Sequence, residues 1–180
     1  MEERPAMTIF GDFITGITFC DAARKGWKEI TNNTMPETLK AGDEFWSALQ
    51  KQADGYSYSE TRVGLAFRAG RCGFHAFLDM AGEEVGLRTA EYRLHPVQKR
   101  LEIGFETLTR WVKGCGFDHL SIDMQNGYSV QFVEPLSEVQ RGYLMGFFQE
   151  FFEWASQGRI YPLIQKDIKG FCFATQPLNL

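Results

Sequence analysis

Apolar positions recur along the chain at two periods, and the change of period divides it. Between residues 9 and 31, Phe10, Phe13, Ile14, Ile17, Cys20, Trp27 and Ile30 fall on one side of a helical wheel. Asn32, Asn33 and Pro36 punctuate that run. A second helix is predicted from Pro36 to Ala53, with Thr34 as its cap, Leu39, Phe45, Trp46 and Leu49 inward, and Asp54-Gly55 as its end. A third helix, 60–85, repeats Val63, Phe67, Gly70, Phe74, Phe77, Leu78, Ala81 and Val85 at helical spacing, with Gly86 as its stop. Gly64, Gly70, Gly73 and Gly82 lie inside it. Each glycine costs roughly 1 kcal/mol against alanine, so another backbone or a ligand is expected to come close there. Tyr92-Arg93-Leu94 reads as an extended connector, and His95 before Pro96 is steered away from helical geometry. A fourth helix follows, with Val97, Leu101, Phe105, Leu108, Trp111 and Val112 on one face and Gly114 and Gly116 closing it.

The period then shifts to two. Leu120, Ile122 and Met124 alternate with Ser121 and Asp123; beyond Asn126-Gly127, Tyr128, Val130 and Phe132 alternate with Ser129 and Gln131. A two-residue loop would set Ile122 against Gln131. A three-residue loop, Gln125 to Gly127, pairs Ile122 with Val130 and Leu120 with Phe132, so face matching selects it and puts Gly127 in the left-handed position. Helix 138–157 comes next. It is apolar nearly all round, apart from a narrow stripe of Gln149, Glu150, Glu153 and Gln157, as expected of a core helix or of a wall shared with a ligand or a second subunit. Arg159 to Lys166 reads as a third strand, irregular or at an edge because of Pro162, and Phe171 to Thr175 as a fourth. The predicted fold is α+β, with helices packed on one face of a four-stranded antiparallel sheet. Residues 1–60 are expected to pack as a helical segment on a domain spanning 61–180, the whole forming one globular unit.

Composition narrows this further. The 180 residues carry a net charge of −4, which argues against a nucleic-acid surface. Sixteen phenylalanines imply a large aromatic interior. Cys20, Cys72, Cys115 and Cys172 are scattered, as free thiols in a reducing compartment would be. The first residues, MEERPAM, lack a signal pattern, and no apolar run is long enough to span a membrane, so a cytoplasmic protein is expected.

Candidate chemistry is sparse. No Ser/His/Asp order, phosphate loop, HExxH or dinucleotide fingerprint occurs, and no catalytic residue is assigned. His75 shares a helix stripe with Arg68, Arg71, Cys72 and Asp79. Asp79, four residues on, is placed to hold its ring on a solvated face; the alternative is an imidazole offered to a metal at the centre of a ligand. His95 reads as a helix-start residue and His119 as an exposed strand start. If helices 60–85 and 138–157 share a wall, a flat apolar ring system fits between them, against Gly73, Phe147, Phe148, Phe151 and Trp154, with Arg71 or His75 as its polar anchor.

From Ala69 onward the chain resembles the 4-vinyl reductase domain family. The stretches that carry the resemblance are RAGRCGFHAFLDMAGEEVGL, EYRLHPVQKRLEIGFETLTRW, NGYSVQFVEP, GYLMGFFQEFFEWASQGRIY and the terminal Cys172-Phe173. The resemblance implies a fold similar to the core subunits of the TRAPP tethering complex and a homodimer. It also implies a hydrophobic small-molecule ligand, foremost a tetrapyrrole or chlorophyll precursor. Pigment synthesis or photosystem assembly would be the setting, with contact to a photosynthetic membrane or an assembly protein. A C8-vinyl reductase or its accessory subunit is the enzymatic alternative, and a dimeric interaction module the structural one. TRAPP subunits carry an acylated cysteine in a Gly-Arg-Cys context like that of Cys72. Many members carry a cysteine cluster after the hairpin, where this chain has Glu134-Pro135-Leu136-Ser137. A tetrahedral site needs about four ligands, so no zinc is expected and no cofactor is required.

Overall fold

A computed structural model describes residues 10–39, 42–113, 117 and 120–178, with side chains from Thr18 onward. Its elements are α1 (Phe10–Thr31), α2 (Asp43–Ala53), α3 (Ser59–Ala81), α4 (Ala90–Leu94), α5 (Val97–Lys113), β1 (Leu120–Asp123), β2 (Tyr128–Phe132), α6 (Glu138–Ala155), β3 (Leu163–Asp167) and β4 (Gly170–Phe173). The predicted inward positions Phe10, Phe13, Ile14 and Ile17 of α1 lie outside the described side chains, as do Lys40, Gly114, Cys115, Gly116 and His119.

The centre of the molecule is α6. Phe147, Phe148, Phe151 and Phe152 have no exposed surface, so its apolar circumference is buried on several sides at once. One side crosses α3, where both helices present glycine. A Cβ on Gly70 would overlap the Tyr143 carbonyl oxygen, and one on Gly146 would overlap that of Phe67. The backbones therefore touch, and the approach foreseen from the glycines of the third helix is made by another helix. On its other side α6 meets the sheet: Phe148 lies 5.8 Å from Phe171 and Phe152 lies 4.9 Å from Phe173, between ring centroids. Phe105 of α5 covers Tyr128 at 5.3 Å. The fold is α+β, with helices laid on an antiparallel sheet of order β1-β2-β4-β3. Leu120 stands opposite Phe132 and Ile122 opposite Val130, the register that face matching selects. Gly127 has φ 150°, positive but well beyond the ordinary left-handed helical value.

Several boundaries differ from the expectation; β4, for one, runs Gly170–Phe173 instead of Phe171 to Thr175. Helix α2 begins at Asp43 instead of Pro36. Gly42 takes φ 78°, and Asp43 and Glu44 put two carboxylates in the first turn, where the helix dipole favours them. Residues 36–39 form a turn instead, closed by Leu39 N–H to Pro36 O at 3.3 Å. Helix α3 stops at Ala81, a turn early. Arg88 N–H bonds back to Gly82 O at 2.8 Å, and the Arg88 stem occupies the space a Cβ on Gly82 would need. Tyr92-Arg93-Leu94 is helical in α4, because Thr89 caps Tyr92 N–H and the buried Tyr92 ring donates its hydroxyl to Arg100 O at 2.8 Å. Strand β3 starts only at Leu163, after Pro162, and lies at an edge of the sheet as that proline predicts. No helix among the described residues is long and apolar enough to cross a membrane.

Candidate functional site

The seam between α3 and α6 does not hold the open slot that the glycine pattern suggested. At Gly73 a Cβ would overlap the Tyr143 hydroxyl, so that space is already filled by an α6 side chain. Phe147 meets Phe74 at 5.4 Å and Phe77 at 5.7 Å, and Phe148 and Phe151 are equally buried. Trp154 is half-buried; it stacks on Tyr92 at 5.9 Å with the rings 11° from parallel and meets the edge of Phe74 at 5.8 Å. Phe147, Phe148 and Phe151 belong to an aromatic core with its rim at Trp154.

The two polar candidates are brought together, but against protein. Arg71 Nε donates to Glu150 Oε2 at 2.5 Å and Nη2 to Glu153 Oε2 at 2.7 Å; His75 Nε2 lies 2.7 Å from Glu150 Oε1. Arg71 thus bridges two carboxylates with charge-assisted hydrogen bonds, which are stronger than neutral ones, and it clasps α3 to α6. Asp79, expected to hold His75, is instead reached by Arg88 at 3.1 Å. Beside the clasp, burial and then the carboxylates of Glu29 and Glu150 push the Cys72 thiol up, opposite to what a reactive thiolate requires. His95 ends α4 and lines a small hollow of about 300 Å³ with Val85, Leu87, Tyr92 and Ile103.

A larger cleft, of about 670 Å³, opens elsewhere. It lies between α1, the 34–37 turn and the end of α3, lined by Asp21, Arg24, Lys25, Lys28, Thr34, Met35, Glu37 and Met80. Met35 belongs to the core, whereas Met80 is 40% exposed. Arg24 is held in place: it donates to Asp21 and to the Leu39 carbonyl, and its guanidinium lies 5.7 Å from the centre of the Phe45 ring. Lys25 and Lys28 are exposed, and among the described residues neither enters an ion pair. Sequence reasoning passed over these residues because Arg24, Lys25 and Lys28 resemble any solvated helix face. The one available signal was Met35, an apolar side chain in an otherwise polar punctuating stretch. A volume of this size falls within the range that takes a small ligand.

No family model, no curated protein and no solved structure matches this chain.

Proposed function

We propose that this protein is a non-enzymatic binding protein for a small apolar molecule, with a tetrapyrrole or chlorophyll precursor as the first ligand to test, in pigment synthesis or photosystem assembly. The observation that carries the reading is the cleft beside α1, which two methionines line among polar and charged side chains. Methionine adapts its shape to flat or flexible apolar partners, and the other six lining residues are polar or charged, so the cleft suits a ligand with both an apolar and a polar part. The choice of tetrapyrrole rests on the resemblance in the stretches above. A homodimer is part of the same proposal. It would use a face other than the α6 aromatics, since these are buried within one chain.

The test is native mass spectrometry, with an absorption spectrum, of the protein purified from its own host and then titrated with haem and protochlorophyllide. One pigment per chain and a shifted absorption band are expected, on an assembly of twice 20.6 kDa. Thr34→Trp, an exposed wall position, should block uptake without unfolding the chain. A parent protein that takes up no pigment removes the tetrapyrrole reading, and normal uptake by Thr34→Trp moves the site away from this cleft.

A further inference from the structure

We infer that the cleft beside α1 recognises the acidic group of its ligand, and that Lys25 and Lys28 are the residues that receive it. This rests on the cleft being the binding site and names the chemical class that fits it: an apolar body bearing one or more carboxylates. Lys25 and Lys28 are three residues apart on one helix, so their ammonium groups rise from the same face. Arg24 also lines the cleft, but its guanidinium is already engaged by Asp21 and the Leu39 carbonyl. Its charge is therefore taken up by Asp21, while among the described residues the two lysines enter no ion pair. Of the two carboxylates lining the cleft, Asp21 is neutralised by Arg24, which leaves Glu37 against two lysines. The cleft is thus locally positive on a chain of net charge −4.

The apolar half of the site adds to the selection. Met35 and Met80 line the same cleft, and a ligand lying on the partly exposed Met80 would remove apolar area from water. A neutral ligand of the same shape would gain that burial but would strip water from the lysines without pairing them, which is unfavourable. The acid should therefore bind better than its ester. Arg71 and His75, the anchors first expected, are taken by Glu150 and Glu153, so the acid-binding role falls to α1.

Protoporphyrin IX and its dimethyl ester share one ring system and differ in two carboxylates, which makes them suitable probes. Both are titrated into the full chain and into the Lys25→Glu/Lys28→Glu double variant by fluorescence, at about 0.05 M and about 0.5 M salt. The parent should bind the acid about tenfold more tightly than the ester, the scale of two exposed ion pairs acting together. The double variant should lose that preference while holding the ester as before, and salt should weaken only the acid. Equal binding of acid and ester by the parent, or an unchanged preference in the variant, overturns the inference and leaves apolar ligand binding standing. Failure of the parent to bind either probe overturns both. Should charge reversal unfold the chain, the Lys25→Gln/Lys28→Gln variant gives the same comparison.

Discussion

Tyr143 decides what the seam between α3 and α6 can hold. Its ring is fully buried, 5.9 Å from Phe19 and 5.6 Å from Trp46, and its hydroxyl reaches the place where Gly73 lacks a side chain. A glycine in a helix announces that something comes close; only the fold tells whether that is a ligand, a backbone or a neighbouring ring. Gly127 was easier to read, because the strand pattern on both sides of it specified the loop. Its φ of 150° suits glycine, and a Cβ there would sit 2.5 Å from Cys172 Sγ and 2.8 Å from the Phe173 carbonyl oxygen. Gly127→Val combines backbone strain with overlap against β4. It should cost about 2–4 kcal/mol, measured by denaturant unfolding. Stability equal to the parent would show that the loop takes another conformation.

At the scale of elements, helices with long one-sided stripes were legible and short or interrupted ones were not. The stripe of α5 runs from Leu101 to Val112, and α5 spans Val97–Lys113 as expected. Five residues of α4 show less than two turns of period, so its helical state rests on Thr89 and on burial of Tyr92, neither of which periodicity registers. At the other end of the scale, α6 was legible in extent but not in how it starts. Ser137 Oγ accepts from Gln140 N–H at 3.2 Å, and the Gln140 side chain accepts from Ser137 N–H at 2.9 Å, a reciprocal cap. This cap occupies the stretch noted in the sequence only for its missing cysteines. Because α6 is packed on several sides, fraying of its first turn loosens more than one interface. Ser137→Ala should lower stability by about 1 kcal/mol, seen as a drop of a few degrees in the melting temperature. Ser137→Asp, which keeps a capping oxygen, should recover most of it.

Across the whole molecule, the arrangement explains why the sequence revealed the core but not the cleft. Core positions announce themselves by local period, whereas the cleft is lined by polar residues of α1 and the 34–37 turn that look like any solvated stretch, and it is completed by Met80 of α3, far along the chain. The same long-range geometry makes α6 the bridge between the helical layer and the sheet, so stability depends on how firmly α3 grips it. Two arginines of α3 take hold of α6 carboxylates: Arg71 reaches Glu150 and Glu153, while Arg62 pairs with Glu138 in the first turn, where Ser59 also donates at 2.6 Å. The bond from Arg62, followed by that from Ser59, holds the Glu138 carboxyl below the usual carboxylate range. A carboxylate whose folded pKa is lowered stabilises the fold above its unfolded value, about 4.3 for glutamate, and that contribution is lost as pH falls through the lowered folded value. Melting temperature should therefore hold steady from neutral pH down to about 5 and then decline as the medium becomes more acidic. Arg62→Gln should melt lower than the parent at neutral pH, and the gap should narrow toward acid, where Glu138 is protonated in both proteins. A gap that stays constant across that range would mean the Arg62–Glu138 pair does not contribute to acid sensitivity.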